Sequence, residues 1–342
     1  MPVDIVVDGF FGDCGKGKVV AYLALKDNYD ITVKAGSGPQ SGHTAARGKY
    51  VQLLPSGFVS ENTRLLIGRG TAVNPKIILK EIEKYGTENR TGIDRACTII
   101  EPKHIEQEQE LVKRVGSVGV GTGFARVDRI LRKAKLAKDV PSLKPYITNV
   151  AEEIDKAIEN RKKVLLEGTQ GYGLGLYNAD FYPNVTSQDT TAIQFASDAG
   201  VGPKDVGEIY IVFKAFVSRV GQGKGQKPLR TAWTEEEEEK YGIEERGTVS
   251  GRKRKLGHFD DEMALEAIKR NTATQGVITN IDRLFKGNDG VTDFDKLTYD
   301  AKEFIKAKNS LLKGKSRHFR GITLYSTGPD PEDIIDARGI SF

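Results

Sequence analysis

Apolar and polar positions alternate in short blocks along the chain, and these blocks predict strands and helices in alternating order. Residues 3–7 form a β-rich run, and residues 19–25 after it have the composition of a helix. Further strand-like runs cover 31–34, 50–54, 64–67, 163–167, 208–216, 276–280 and 321–326, and further helical segments cover 75–85, 106–115, 127–137 and 150–160. Because no repeat or low-complexity linker interrupts this order, it predicts a single large α/β domain over 1–342 with a mostly parallel central sheet.

A glycine-dense turn joins the first strand to the first helix and predicts a P-loop-like phosphate site. Residues 12–18 fit the spacing G-x-x-x-x-G-K, and backbone N–H groups at a helix N-terminus point at a bound anion. Val19 stands where the P-loop has the Ser or Thr that holds Mg²⁺, and Asp13 offers a hard oxygen ligand instead. Because many strand-to-helix turns are rich in glycine, this loop alone is a weak signal.

Composition narrows the class of protein. The 342 residues carry a net charge of +5, which favours small anionic ligands and does not require nucleic acid. Only Cys14 and Cys97 are present, so we expect neither a disulfide framework nor a zinc site. The sequence starts like a strand, unlike a signal peptide, and no apolar run reaches membrane-spanning length. We therefore expect a cytoplasmic protein, in the host cytoplasm if it is phage-encoded, without nucleic-acid or membrane partners.

Several polar loops follow predicted strands, at the sheet edge where open α/β folds bind ligands. Lys16 and Lys18 lie in the first loop, His43 in a second, and Arg252 and Arg254 in a third. Guanidinium and ammonium groups in this number suit phosphates and carboxylates. Together these loops favour phosphoryl chemistry on nucleotides.

The sequence resembles the adenylosuccinate synthetase family along its whole length. The matching motifs are Gly12-Asp13-x-Gly15-Lys16-Gly17-Lys18, Gly42-His43-Thr44, Leu54-Pro55-Ser56-Gly57, Glu167-Gly168-x-Gln170-Gly171, Val185-Thr186-Ser187, Arg219-Val220-Gly221, Gly251-Arg252-Lys253-Arg254-Lys255 and Ser326-Thr327-Gly328-Pro329. The resemblance implies a carbon–nitrogen ligase that phosphorylates O6 of a 6-oxopurine nucleotide and then joins L-aspartate to C6. It also implies Mg²⁺ as cofactor and a homodimer.

The resemblance assigns roles to individual residues. Asp13 would act as base and Mg²⁺ ligand, His43 would stabilise the transferring phosphoryl group, Lys16 would hold phosphates, and the Gly42 carbonyl would also bind Mg²⁺. The triphosphate donor would be held by Gly12, Gly15, Lys16, Gly17, Lys18, Thr44, Asn280, Asp282, Ser326, Gly328 and Pro329. The purine monophosphate would be held by Asp13, Gln40, Ser117, Val118, Gln170, Thr186, Val220 and, from a partner subunit, Arg132. L-Aspartate would be held by Thr248, Val249, Ser250, Arg252 and Arg254.

Departures from the family pattern cluster at the expected purine site. Phe11 and Cys14 replace the usual Trp and Glu of the first loop, Gln40 replaces an Asn, and Ser117-Val118 replaces Thr-Thr. Altered hydrogen-bonding partners change substrate choice strongly. The first loop also resembles the phage branch of the family, which implies dGMP as acceptor and ATP as donor, with N6-succino-2-amino-2′-deoxyadenylate as product. The alternative is the standard enzyme, which uses IMP and GTP; Asp282 is an acceptor suited to guanine.

Two other classes and several structural roles are weighed against this prediction. A nucleotide-binding regulator without chemistry is disfavoured by the intact Asp13 and His43, and a P-loop kinase or GTPase is disfavoured by Val19. Asp13 could instead cap the first helix. We expect Cys14 to be a small packed thiol, and we expect the acidic run 235–239 to be a solvated helix face.

Overall fold

A ten-stranded sheet forms the centre of the computed structural model, which describes residues 2–220, 227–247, 249 and 251–339. The strands of this part of the chain are β1 (Val3–Asp8), β2 (Ile31–Lys34), β3 (His43–Ala46), β4 (Lys49–Val51), β5 (Arg64–Ile67), β6 (Ala72–Val73), β7 (Thr91–Asp94), β8 (Thr98–Ile99), β9 (Ile147–Thr148), β10 (Val164–Glu167), β11 (Val206–Lys214), β12 (Phe216–Val220), β13 (Arg254–His258), β14 (Gln275–Thr279), β15 (Ile322–Ser326) and β16 (Ile334–Asp336). The large sheet has the order β16-β15-β14-β11-β1-β10-β2-β5-β7-β9, and only the β15–β16 pair is antiparallel. The predicted α/β fold with a mostly parallel sheet is confirmed.

Helices separate most of the parallel strands in the sequence and pack against the sheet. In the described residues they are α1 (Lys16–Lys26), α2 (Pro75–Tyr85), α3 (Pro102–Val115), α4 (Thr122–Ile130), α5 (Val150–Glu159), α6 (Ala192–Ala199), α7 (Glu235–Tyr241), α8 (Asp261–Asn271), α9 (Ile281–Leu284) and α10 (Tyr299–Leu312). Contacts of α1 and α6 with β1 and β10 cover the centre of the sheet. The near-continuous apolar runs of β1 and β10 are explained by this burial, because a parallel sheet is covered on both faces.

Helix α2 shows how local sequence fixes an element. The side chain of Asn74 accepts a hydrogen bond from the backbone N–H of Lys76 at 3.0 Å, and Pro75 occupies the first helical position. Gly86 ends the helix in the left-handed conformation, with φ of 59°. The predicted bounds of 75–85 are therefore confirmed.

Several predicted elements have different bounds. The strand predicted over 50–54 ends at Val51, and the helix predicted over 19–25 begins at Lys16. The helix predicted over 127–137 is wrong, because α4 already begins at Thr122 and Arg132 adopts a φ of 61° that ends helical geometry. The strand predicted over 208–216 is divided at Ala215 into β11 and β12, and β12 pairs with β13 in a separate two-stranded sheet. The start of α3 at Pro102 was missed because Glu101 and His104 form a capping box that a solitary histidine does not reveal.

Parallel register brings charged strand ends together at the carboxyl edge. Glu167 at the end of β10 pairs in register with Lys34 at the end of β2. Asp8 ends β1 next to Val212 of β11. These ends and the loops after them form the base of the site described below. Among the described residues, no helix is both long and apolar enough to span a membrane.

Candidate active site

A cavity of about 490 Å³ lies at the carboxyl edge of the central strands. It is bounded by the loop after β1, the segment leading into β3, the end of α3 with the loop that follows, the segment after β10, and the residues around β12 and β13. The chemistry-bearing residues among its walls are Asp13, Lys16, Gln40, His43, Glu108, Arg114, Ser117, Gln170, Thr186, Ser187, Arg219, Arg252 and Arg254. Cations outnumber acids in this set, so the cavity is suited to an anionic ligand.

Asp8 holds the glycine loop in place. Its carboxylate accepts hydrogen bonds from the backbone N–H groups of Phe10, Gly12 and Cys14 at 2.9 to 3.0 Å. It also pairs with the ammonium of Lys16 at 3.1 Å. A buried carboxylate with this many donors fixes the loop conformation before any ligand binds.

The N-terminus of α1 opens towards the cavity without a side-chain cap. Gly15 is its N-cap in the left-handed conformation, with φ of 81°, and the first turn contains no acidic residue. A Cβ on Gly17 would lie 2.8 Å from the Thr44 carbonyl oxygen and 2.9 Å from the His43 Cβ, so only glycine permits this close approach. Uncapped N–H groups at such an end make a phosphate site. Asp13 does not cap the helix, since no side-chain cap is present.

Asp13 belongs to a buried network of charges. Its Oδ2 lies 2.5 Å from the ammonium of Lys214 and 3.5 Å from the guanidinium of Arg254, and it accepts a hydrogen bond from Ser218. Burial raises the pKa of Asp13, but the charges of Lys214 and Arg254 outweigh it and hold the pKa well below its usual range. Lys214 also pairs with Glu245 at 2.5 Å. Asp13 is therefore ionised at neutral pH.

The second oxygen of Asp13 fits a magnesium ligand. Its Oδ1 is buried and has no hydrogen-bond partner among the described residues, and a carboxylate oxygen left in this state needs a ligand or a cation. The described residues contain no cluster of three His, Cys, Asp or Glu side chains that could hold a metal. Mg²⁺ is commonly bound by one or two carboxylates plus substrate phosphates, so a single carboxylate is compatible with it. Gly42, the other predicted ligand, also lines the cavity.

His43 lies in a second buried network. Its Nδ1 contacts the carboxylate of Glu167 and lies 2.9 Å from the ammonium of Lys34, and its Nε2 lies 3.2 Å from the hydroxyl of Ser41. Burial and the charge of Lys34 lower the pKa of His43 to about 4. The imidazole is thus neutral at pH 7. The contact with Glu167 assigns the proton to Nδ1 and leaves Nε2 as acceptor.

The two loop lysines have protein partners. The ammonium of Lys16 donates to the carbonyls of Gln170 and Gly12 at 2.6 and 3.2 Å, besides its pair with Asp8. Lys18 donates to the carbonyl of Gly328, and burial lowers its pKa to about 8 against the opposing charge of Asp282. Lys16 therefore joins the glycine loop to the segment after β10, and Lys18 lies on the side of the predicted donor-base residues.

The predicted binding residues divide into two places. Those that line the cavity are Gly12, Asp13, Gly15, Lys16, Gly17, Gln40, Gly42, His43, Thr44, Ser117, Val118, Gln170, Thr186, Val220, Val249, Arg252 and Arg254. Outside its walls are Arg132, which is exposed beyond α4, and Lys18 of α1. Also outside are residues at or after the ends of β14 and β15, namely Asn280, Asp282, Ser326, Gly328 and Pro329. Thr248 and Ser250 lie outside the described residues. The residues predicted to hold the donor base thus lie apart from the cavity. This position suits a donor nucleotide that extends from the glycine loop along the edge of the sheet.

Several residues of the site were missed from the sequence. Asp8, Lys34, Glu167 and Lys214 are buried charges at strand ends. The signal they share is a charged residue at the last position of an apolar strand, and Glu167 also stands in one of the family motifs. Their partners come from distant parts of the chain, so their pairing could not be predicted. The prediction of Cys14 as a packed thiol is confirmed, because its Sγ is buried 3.2 Å from Asp8 Oδ1.

Arg219 is a further missed residue on the cavity wall. Its guanidinium lies between two aromatic rings, 4.6 Å from the centroid of Phe181 and 5.3 Å from that of Phe11. Burial lowers its pKa to about 10. The ring of Phe11 thus helps to hold the guanidinium of Arg219 at the cavity wall.

The fold is that of an α/β protein with a cationic cavity and an uncapped helix N-terminus at the carboxyl edge of a parallel sheet. The family model of adenylosuccinate synthetase matches residues 5–142 and 134–291. An adenylosuccinate synthetase of Archaeoglobus fulgidus is 46% identical over 344 residues, covering 99% of both chains. The chain belongs to the adenylosuccinate synthetase family and is a carbon–nitrogen ligase of that type.

Two solved structures share the fold. The fully ligated adenylosuccinate synthetase of Plasmodium falciparum superposes with a TM-score of 0.86 at 22% identity, covering 98% of this chain and 100% of the other. The succinoaminodeoxyadenylate synthetase of cyanophage S-2L, bound to dGMP and dATP, superposes with a TM-score of 0.80 at 20% identity, covering 98% and 95%. At these identities the likeness concerns the fold and does not distinguish the substrates.

Proposed function

We propose that the chain joins L-aspartate to C6 of IMP with GTP as phosphoryl donor, yielding adenylosuccinate, GDP and phosphate. The observation that carries this proposal is the ionised Asp13, whose free Oδ1 borders a cationic cavity beside the uncapped N-terminus of α1. The relative from Archaeoglobus fulgidus supports the standard activity, because it is named for it and matches end to end.

The proposed chemistry follows from the charges of the two networks. Asp13 accepts the N1 proton of the purine, which makes O6 a better nucleophile. His43 lies beside the transferring phosphoryl group. The charge of Glu167 favours protonation of its ring, and a second proton, on Nε2, would then stabilise developing charge. Mg²⁺, when bound, would neutralise charge on the donor phosphates, and Asp13 and the Gly42 carbonyl would hold it. Arg252 and Arg254 bind the carboxylates of aspartate, as the sequence predicted.

The preference for IMP differs from the main prediction of the sequence analysis, which was dGMP. That prediction depended on changes at Cys14, Gln40, Ser117 and Val118. Cys14 contacts Asp8 and is absent from the cavity walls. The amide of Gln40 contacts Ser37 and accepts from Thr122 at 2.6 Å. The hydroxyl of Ser117 donates to Glu108. Three of the four changed residues thus have partners within the protein, which gives less support to a guanine-specific pocket. dGMP stays the second candidate because Gln40, Ser117 and Val118 line the cavity.

Substrate choice is tested by comparing acceptors under identical aspartate. We expect kcat/KM for IMP to exceed that for dGMP by about tenfold or more, because an unpaired 2-amino group costs about 1–3 kcal/mol on burial. Products are identified by mass spectrometry, and GMP serves as the control that separates the 2-amino group from the missing 2′-hydroxyl. A tenfold preference for dGMP would reinstate the phage-type assignment.

The donor is tested in the same assay with GTP and ATP. The resemblance to the phage branch predicted ATP as donor. We now favour GTP, since the curated relatives support the standard enzyme and the carboxylate of Asp282 suits the N1–H and 2-amino group of guanine. Burial raises the pKa of Asp282, but Lys18 beside it favours the charged form.

We also propose a homodimer in which Arg132 completes the partner's site. Beside Arg132, α4 and the residue after it expose three large apolar side chains: Val127 (45%), Ile130 (72%) and Leu131 (57%). An exposed apolar cluster next to a cation that lies away from its own cavity favours an interface with a second copy.

The dimer is tested with Ile130→Glu. A carboxylate in the centre of an apolar interface should shift the protein to monomers at assay concentrations and lower activity by about tenfold or more. Tyr299→Glu on α10, where Tyr299 is 74% exposed, is the matched control and should change neither property. Sedimentation velocity measures the mass. A wild-type protein that is fully active as a monomer would refute the interface.

A further inference from the structure

One wall of the cavity is a single face of α3. Glu108, Leu111, Arg114 and Val115 line the cavity from this helix. Their spacings of three and four residues place them on one side of an α-helix. Arg114 therefore carries its charge on the wall that faces a bound ligand.

The neighbouring polar groups of this wall are already bound within the protein. Arg252 donates to the carbonyls of Gly116 and Ser117 at 2.7 and 2.9 Å. The hydroxyl of Ser117 donates to Glu108, and Val118 has no hydroxyl to offer. The loop predicted to bind the nucleotide phosphate thus provides no free side-chain donor of its own.

Two polar groups in this part of the cavity lack partners. Among the described residues, the guanidinium of Arg114 has no hydrogen bond or ion pair. The Oγ of Ser187 is buried and likewise has no partner there. Gly123 lies between the two elements, since its ideal Cβ would be 3.9 Å from Leu111 Cδ1 and 4.0 Å from Ser187 Cβ. Arg114, one turn after Leu111 on α3, and Ser187 therefore line the same cavity, and Gly123 lies between their two elements.

We propose that Arg114 and Ser187 bind the 5′-phosphate of the purine nucleotide, beside the predicted contact from Thr186; this rests on the proposed function. A buried hydroxyl without a protein partner is satisfied by a ligand, an ion or water, and Ser187 is such a residue on the cavity wall. A guanidinium matches the geometry of a phosphate better than any other side chain.

The charges around the wall explain why a cation is needed there. The carboxylate of Glu108 lines the same face, and the C-terminus of α3 presents the negative end of its helix dipole. A phosphate dianion would be repelled by both. The Nη2 group of Arg252 already donates to the carbonyls of Gly116 and Ser117, and the rest of its guanidinium is assigned to the aspartate carboxylates. Arg114 supplies the compensating charge. If Arg114 only balanced the helix dipole, its loss would leave nucleotide affinity unchanged.

The test compares Arg114→Ala, Arg114→Lys and Ser187→Ala with Lys113→Ala, which removes a cation from the same turn but lies outside the cavity walls. We expect Arg114→Ala to raise KM for the acceptor nucleotide about ten- to a hundredfold while kcat changes less than about threefold. Arg114→Lys should recover part of this loss, because it restores the charge without the forked geometry. Ser187→Ala should raise KM to a smaller extent, and Lys113→Ala should behave as wild type.

Competition with inosine, which lacks the phosphate, separates a phosphate contact from a general disturbance of the cavity. Inhibition by inosine should be equal in wild type and Arg114→Ala. An unchanged KM in Arg114→Ala, or an equal loss of inosine and nucleotide binding, would overturn the inference. If the wild type turns over no 6-oxopurine nucleotide, the proposed function fails. The phosphate site is then tested separately by calorimetry with IMP, and equal affinity in wild type and Arg114→Ala would overturn the assignment of Arg114.

Discussion

Asp13→Asn should reduce product formation by about a thousandfold or more, because it removes the base for N1 and the anionic oxygen that suits Mg²⁺. The substitution keeps the shape of the side chain, and Lys214 keeps Glu245 as a partner. The fold should therefore survive with a reduced free energy of unfolding. Steady-state assays of phosphate release with and without L-aspartate measure the effect, and circular dichroism checks the fold.

Ser218→Ala is the matched control for Asp13. It removes one hydrogen bond to Oδ2 and leaves the charge, the free Oδ1 and the pair with Lys214 in place. We expect a loss of no more than about tenfold. Near-normal turnover in Asp13→Asn would contradict both the base and the metal ligand, whereas an equal loss in Ser218→Ala would indicate that orientation of the carboxylate dominates.

Glu167→Gln should lower kcat by about a hundredfold or more. Glu167 accepts the Nδ1 proton of His43 in a hydrogen bond. Burial lowers the pKa of the imidazole, and the negative charge of Glu167 opposes this by favouring protonation. Without it, the imidazole can rotate and Lys34 loses the carboxylate 3.5 Å away. Removing one partner of a buried ion pair costs about 3–5 kcal/mol, so the free energy of unfolding should fall as well.

The two effects of Glu167→Gln are separated by Ser56→Ala. The hydroxyl of Ser56 donates to Glu167 at 2.7 Å. Among the described residues, it forms no hydrogen bond with His43. Ser56→Ala should therefore lower stability modestly and leave kcat within about threefold of wild type. Urea unfolding and kcat are measured on both variants. A wild-type kcat in Glu167→Gln would show that His43 needs no orienting carboxylate.

Local sequence was sufficient to predict the sheet class, most strands and the phosphate loop. The period of apolar residues and the caps of α2 act over a few positions, so they are visible in the chain. The bounds of α4 could not be predicted in this way. Gly121 precedes that helix in the left-handed conformation, and Arg132 follows it with positive φ. The basic stretch 127–137 has the composition of a helix, although the helical backbone ends at Ile130.

The charged networks could not be predicted for a different reason. Asp13 and Lys214 are 201 positions apart, and His43 and Glu167 are 124 apart. A single sequence gives each residue a propensity but no partner. Motifs pointed to Asp13 and His43 as candidate reactive residues, and the fold was needed to show their partners. The register of β10 with β2 brings Glu167 and Lys34 to His43, whereas the end of β11 brings Lys214 to Asp13.

The carboxylate of Asp8 has a consequence for how the enzyme recovers between turnovers. Its hydrogen bonds to three loop amides and to Lys16 are made entirely within the protein. The loop then has no ordering entropy to lose when a nucleotide arrives, and none to regain when the product leaves. We expect those amides to exchange their hydrogens with solvent at the slow rate of the sheet core, with or without nucleotide. Deuterium uptake confined to the opposite walls of the cavity would then report which parts of the molecule close around the substrates.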